Sequence, residues 1–552
     1  MIKDVSKEES EKALAVMCND EFKGDFSNML RSRYPLFYIT TNEESRLIQF
    51  LEHYCDAKGY DCFLWDSYYG LINIKTKKPH GGATDELKAN PLLALDYIIG
   101  QSKNYENKKA EIEAKKGENV NGVIYVLLDF FRFMTDNPDY ERRLKAVADI
   151  SSIVSTVITG PYYHTTDTLS NLIPVLDFPF ANKDEIGHAL MDISMGASFD
   201  IPDIVKKTKE MKEELVNAAM GLTLLEAQSA YSKSLVSHRD WHIPTILKEK
   251  KQIISKSGML EYFDKPVSME DVGGLKRLVG WIDERKTTFS EDAAIYGLKK
   301  PRGLLTIGMP GCGKSLVCKA ISSAWKMPLL RLDFGRLFGS LVGKSEENAR
   351  AAIKLAEAVA PSILWIDEIE KAISGISSSG NSDGGTTSRV LSTFLTWMQE
   401  KTSAVFVVAT ANDHQSIPPE FLRAGRFDEI FFVDLPNKEE REEIFKVLLR
   451  LRGLEHGSFN LTLLAGSSEN YSGAEIEKGI DKAMLAGFLD KKRKITTKDI
   501  EIALGSFKTL FQMRPADFGE LRDWADSQCI RANEEFQETI SYGANNRELQ
   551  FD

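Results

Sequence analysis

Eight consecutive residues, Gly308, Met309, Pro310, Gly311, Cys312, Gly313, Lys314 and Ser315, carry the densest chemistry in the chain. They follow an apolar run, Gly303 to Ile307, and precede Leu316, Val317, Ala320, Ile321 and Ala324, which share one helical face. Glycine permits positive φ and close backbone approach, so successive amide N–H groups turn inward at the positive end of the following helix. A turn of this kind holds the phosphates of a nucleoside triphosphate, with Lys314 on the β- and γ-phosphates and the Ser315 hydroxyl on Mg²⁺. Cys312 reads as a small filler within the loop in preference to a redox-sensitive thiol.

Hydrolysis needs further groups, and two more apolar runs supply them. Ile363 to Ile366 has the continuous apolar character of a strand buried on both faces and ends in Asp367 and Glu368. Asp367 suits the Mg²⁺ shell, and Glu368 can polarise a water for in-line attack on the γ-phosphate. A third run, Ala404 to Ala409, leads to Asn412, a neutral amide at the carboxyl end of a parallel strand, where it can orient the same water without competing for the metal. Downstream, Arg423 and Arg426 lie in Phe421 to Asp428, where they either pair locally with Glu420 and Asp428 or act elsewhere.

In this order and spacing the motifs resemble the AAA branch of the AAA+ ATPases. The resemblance implies that Arg423 and Arg426 project into a neighbouring subunit's nucleotide site as arginine fingers, and that subunits form a ring, by family likeness a hexamer. It also implies that Asp271, Val272 and Gly273 line the adenine pocket, and that Gly473 and Ala474 open a lid helix against the nucleotide. Ser472 and Glu475 read independently as a capping box at that helix start. No arginine follows Ala474, so charge sensing of the γ-phosphate by the lid is not expected. The family's first pore loop corresponds to Leu341, Val342 and Gly343, with leucine where the family has an aromatic; that argues against a strong threading motor. Ser374 to Ser388 reads as a loop in the place of the second pore loop. Segments such as Arg33 to Tyr38, Gly59 to Asp66 and Lys251 to Tyr262 narrow the likeness to the ycf forty-six type of AAA proteins.

The elements that position these groups form an α/β fold: a P-loop NTPase domain with a parallel sheet and a small helical lid, preceded by a degenerate P-loop-like α/β domain. The expected division is an N-terminal extension over 1–29, a degenerate AAA-like or unrelated α/β adaptor domain over 30–247 and a linker over 248–268. The large ATPase subdomain then covers 269–439, the lid and C-terminal helices 440–535, and a loose tail 536–552. The first half echoes the second in its runs Pro35 to Thr41, Val123 to Leu128 and Leu172 to Phe180. It lacks the chemistry, because Thr40 to Glu43 holds no glycine and Asp129 is followed by Phe130.

The 552 residues are 43% apolar and 27% charged, which is ordinary for a globular protein, and the net charge of −11 argues against a nucleic-acid coat. Six cysteines show no metal spacing and read as reduced thiols in a cytoplasmic compartment. No run approaches the ~18 apolar residues of a membrane span, so neither a membrane nor a signal peptide is expected. Lys491 to Lys494 reads as a solvated helix end, and His238 with His242 as ordinary histidines and not a metal pair. The expected activity is Mg²⁺-dependent ATP hydrolysis coupled to remodelling of a protein client bound through the N-terminal half. The alternatives are a nucleic-acid-associated ATPase of replication or loader type and a slow nucleotide-driven switch or scaffold.

Overall fold

Short runs of Val, Ile, Leu and aromatic residues, buried on both faces, build two separate sheets, each sandwiched between helices. A computed structural model of the protein describes residues 7–80, 90–107, 122–134, 137–150, 153–256, 258–263, 267–337, 344–371, 384–423 and 425–533. The chain divides into two units, Met1–Lys250 and Lys251–Asp552.

In the first unit the strands are β1 (Leu36–Thr40), β2 (Tyr60–Asp66), β3 (Gly70–Asn73), β4 (Gly122–Leu127), β5 (Val154–Gly160) and β6 (Val175–Asp177), in the spatial order β3-β2-β4-β5-β1-β6. Among the described strands of this unit only β2 with β3 is antiparallel; Tyr38 of β1 sits between Ile158 of β5 and Val175 of β6. Helices α1 (Lys7–Val16) and α2 (Asp20–Arg31) send Leu14, Phe22, Phe26 and Leu30 into the core beneath this sheet, so most of the expected N-terminal extension is part of the domain. Helix α3 (Glu44–Lys58) joins β1 to β2, and Gly59, at φ 70°, ends it in the left-handed conformation that glycine tolerates. A group of helices ending in α4 (Leu224–His238) follows β6.

The second unit contains β7 (Leu260–Phe263), β8 (Gly303–Gly308), β9 (Leu329–Leu332), β10 (Ser362–Ile366), β11 (Val405–Ala411), β12 (Glu429–Val433) and β13 (Ile530–Arg531), ordered β13-β12-β8-β11-β10-β9-β7. Without the edge strands, both sheets read 5-1-4-3-2 when strands are counted along the chain: β6-β1-β5-β4-β2 and β12-β8-β11-β10-β9. Unit one therefore repeats the topology of unit two, which supports the degenerate-ATPase reading of residues 30–247 over the adaptor.

Three expectations change. The stretch 248–268 is largely regular structure: it holds the end of helix Ile243–Lys256 and all of β7, because Ile254 and Leu260 are buried in the second unit's core. Residues 440–535 are not all lid. Helix Pro515–Gln528 buries Leu521 and Ala525 in the core of the large sheet, and β13 pairs in parallel with β12. Gly384 to Ser388, expected as the end of a loop, instead open helix Gly384–Glu400. Leu341, Val342 and Gly343, residues 374–383 and the tail 536–552 lie outside the described residues.

Candidate active site

The phosphate loop runs from the end of β8 into helix α5 (Lys314–Trp325), the strand-turn-helix order expected from the sequence. Gly311 and Gly313 have φ of +83° and +93°, values that L side chains rarely adopt. A side chain at Gly308 would collide with the Val433 carbonyl of β12, so packing within the sheet also demands glycine there.

Lys314 is buried, and its Nζ donates to the carbonyls of Gly308 at 2.6 Å and Met309 at 2.7 Å. Carbonyls alone do not neutralise a buried ammonium, and burial lowers its pKa to about 8. An anion brought to the loop supplies the missing charge, so these residues fit a triphosphate. Burial pushes the Cys312 thiol up to about 12, which favours the neutral thiol over the thiolate.

Ser315 Oγ donates to Asp367 Oδ1 at 3.1 Å, and Thr410 Oγ1 donates to the same oxygen at 2.8 Å. Thr410 Oγ1 also accepts the Glu368 N–H at 3.0 Å, so one hydroxyl fixes the Asp367 carboxylate and the Glu368 backbone together. The hydroxyl of Ser315 and the carboxylate of Asp367 are hard oxygen donors of the kind Mg²⁺ takes. Arg331 Nη2 lies 3.7 Å from the other oxygen, Asp367 Oδ2.

Glu368 sits at φ +53°, an uncommon value for a residue with a Cβ, just where the chain leaves β10. Its Oε1 accepts the Asn412 amide at 3.1 Å and its Oε2 pairs with Lys371 at 2.5 Å. Asn412 has a second acidic neighbour that the sequence reading did not single out. Glu370 Oε1 accepts both the Asn412 backbone N–H and its Nδ2, each at 3.2 Å. Burial raises the Glu370 carboxyl above its ordinary value, and its Oε2 is buried without a hydrogen bond.

A pocket of about 410 Å³ gathers the expected nucleotide residues: Asp271, Val272 and Gly273, the loop from Pro310 to Ser315, Asp367, Glu368, Asn412, Gly473 and Ala474. The apolar end is lined by Val272, Pro436, Ile444, Val447 and Leu448, the last three from α6 (Lys438–Leu451), and suits a flat base. Carboxylates of α6 anchor the facing segment: Glu443 Oε2 accepts Gly274 N–H at 3.0 Å and Glu440 Oε1 accepts Leu275 N–H at 2.9 Å. The lid enters through α7 (Gly473–Leu489), whose capping box of Ser472 and Glu475 is present, and Ala474 N–H donates to the Gly311 carbonyl at 3.1 Å. Gly308 and Met309 complete the loop without lining this pocket.

Arg423 and Arg426 are not brought to this pocket. Arg423 is exposed, Arg426 is half-buried with its Nη1 lacking a hydrogen bond, and among the described residues neither forms an ion pair. Asp428, the nearby acid, accepts the backbone N–H groups of Arg302 and Gly303 at 2.6 and 2.9 Å. His238 and His242 both hydrogen bond Thr245, and no group of three metal-binding side chains occurs among the described residues.

Comparison with known proteins agrees with this geometry. Residues 304–435 match the family described as ATPase family associated with various cellular activities, AAA. Residues 22–178 and 197–257 match the N-terminal and second domains of SpoVK-like AAA ATPases. The uncharacterized AAA domain-containing protein ycf46 of Trieres chinensis is 39% identical over 518 residues, which span 93% of this chain and 98% of the relative. Its counterpart in Guillardia theta is 37% identical, over 92% and 96%. A cell division cycle protein 48 homolog of Archaeoglobus fulgidus is 32% identical over 258 residues, 43% of this chain and 35% of that protein.

Proposed function

Because the chain belongs to the AAA ATPases, and among them to the ycf46 AAA domain-containing proteins, it binds and hydrolyses ATP; we propose that it does so as a homo-oligomeric ring, a hexamer, that remodels a protein or complex held by its N-terminal half. The observation that carries the ring is the placement of Arg423 and Arg426: away from their own pocket, without ion pairs among the described residues, beside a lid in which no arginine follows Ala474.

In this reading the loop amides from Gly311 to Ser315 and Lys314 hold the triphosphate, while Val272 and the apolar face of α6 hold the base. Ser315 and Asp367 would hold Mg²⁺, which would supply charge neutralisation to the bound triphosphate. Glu368 accepts a proton from the attacking water, the water oxygen bonds to the γ-phosphorus, and the bond to the bridging oxygen of ADP breaks. Asn412 orients that water, and Arg423 and Arg426 of the neighbouring subunit stabilise the charge that develops.

The nucleic-acid alternative has less support, since Arg493 of the basic run Lys491 to Lys494 is committed to Asp490 and Asp499, each at 2.7 Å. No described helix is long and apolar enough to cross a membrane. All six cysteines are free, which supports a reducing compartment such as the cytoplasm.

Mixing inactive subunits tests the shared site. Arg423→Ala and Glu368→Gln proteins are each inactive alone; mixed, they regain part of the turnover, because some interfaces pair an intact Glu368 with an intact Arg423. A mixture that stays inactive while both variants assemble overturns the shared site.

A further inference from the structure

Asn412 is held by more than its strand. Its Nδ2 donates to Glu368 Oε1 at 3.1 Å and to Glu370 Oε1 at 3.2 Å, and its backbone N–H donates to the same Glu370 oxygen at 3.2 Å. Both amide protons are therefore taken by carboxylates. Rotating the amide by half a turn would set Oδ1 against two carboxylate oxygens, a repulsive arrangement, so the pair fixes which end of the amide faces which way. Oδ1 is left without a partner among the described residues, at the edge of the pocket that Asn412 and Glu368 line.

Glu368 alone does not enforce this. Its carboxylate is shared with Lys371 and must be free to take a proton, so it is a poor permanent anchor. Glu370 differs: it is 8% exposed, sits one turn past the strand, and touches Asn412 at two points. Its Oε2 is buried with no hydrogen bond, a cost that a purely structural position would shed by substitution with an apolar residue.

We infer that Glu370 is a positioning residue for hydrolysis: it locks the Asn412 side chain so that Oδ1 is presented as an acceptor to the attacking water, while Nδ2 steadies Glu368. This rests on the roles proposed above for Glu368 and Asn412. Glu370 itself touches neither substrate nor metal.

Glu370→Met keeps volume and apolar fit and removes the acceptor; Glu370→Gln keeps an acceptor oxygen. Steady-state ATPase measurements on the full chain should show kcat reduced roughly 10- to 100-fold for Glu370→Met with KM within about twofold, and most of the rate retained by Glu370→Gln. Asn412→Ala should be slow by a similar factor, and Glu370→Met added to it should cost nothing more, since the two act in series. A normal rate for Glu370→Met, an equal loss for Glu370→Gln, or a further drop in the double variant overturns the inference while leaving the role of Asn412 standing. A normal rate for Asn412→Ala overturns both.

Discussion

Glu43 Oε1 accepts the backbone N–H of Leu224 at 2.6 Å, so the turn after β1 is fastened by a side chain to the first residue of α4. In the second unit the equivalent tie joins backbone to backbone, Ala474 N–H to the Gly311 carbonyl at 3.1 Å. Where the ATPase unit leaves a glycine-rich cradle for phosphates, the first unit inserts an ion cluster. Arg46, 2% exposed, pairs with Glu43 and, at 2.8 Å, with Glu185, and its guanidinium lies 4.6 Å from the Phe178 ring centre. The difference between the units extends to the strand ends. Asp129, at φ +54°, falls two residues past β4 as Glu368, at φ +53°, falls two past β10, and buried Leu128 then stands where Asp367 would hold a metal.

Arg46→Ala should leave the half-buried Glu43 and buried Glu185 carboxylates without their shared cation and destabilise the first unit by about 3–5 kcal/mol. Denaturant unfolding of the full chain, with hydrogen exchange read at Leu224 to Ala227, checks this. Retained protection at Leu224 would mean that the cluster does not hold α4.

Lys314 gives nucleotide binding a pH dependence. Its pKa in the free site is lowered to about 8 by burial, and bound phosphates raise it. A group whose pKa rises on binding contributes affinity that is complete below its free value and lost as pH increases above it, by up to about tenfold per pH unit. Dissociation constants for ATP on Glu368→Gln protein, measured from about pH 7 to about pH 9.5, should stay flat and then climb past pH 8. A flat profile throughout would mean that Lys314 stays charged in the free site. Lys314→Ala should abolish binding at every pH.

Gly311 couples loop and lid. A methyl group there would meet Ala474 Cβ and Ser472 Oγ at 3.0 Å, on a backbone with φ of +83°. Gly311→Ala should weaken ATP binding by about 1–2 kcal/mol, or about 5- to 30-fold, with the fold intact. Gly466→Ala, where nothing lies within 4 Å, is the control and should bind normally. Equal affinities for the two would show that the loop relaxes freely.

What the sequence disclosed followed from a simple property of parallel strands. Buried on both faces, β8, β10 and β11 are nearly unbroken apolar runs, so Lys314, Asp367, Glu368 and Asn412 stand out at their carboxyl ends. β5 hid because Ser155, Thr156 and Thr159 interrupt its run, although all three are buried. Glu370 hid because its value depends on an amide 42 residues away, a pairing that no local pattern encodes. The return of the chain after residue 514 to the large sheet was illegible for a third reason: β13 is only two residues long, too short for any periodicity.

That return has a consequence for nucleotide binding. Asp434, just past β12, accepts Arg522 Nε at 2.9 Å and Nη2 at 2.8 Å, and Arg531 Nη1 at 3.4 Å. Its backbone N–H donates to Asn533 Oδ1 at 3.0 Å, and Asn533 Nδ2 donates to Glu440 Oε2 at 2.9 Å. Glu440 in turn holds the Leu275 N–H beside the base-lining segment, so the residues after β13 join the pocket wall through a continuous polar chain whose members Asp434, Glu440 and Asn533 line the pocket. Asp434→Ala should strand Arg522, while Arg531 keeps its pair with Asp526, cost about 1–3 kcal/mol in unfolding, and raise the dissociation constant for ATP. Ending the chain after Arg514 should do the same to a greater degree. Asn533→Ala separates the two effects, since it cuts the link to Glu440 while leaving the arginine pairs in place. Weaker ATP binding with near-normal stability in that variant assigns the polar chain to the pocket. Loss of stability with unchanged affinity would assign it to the sheet alone.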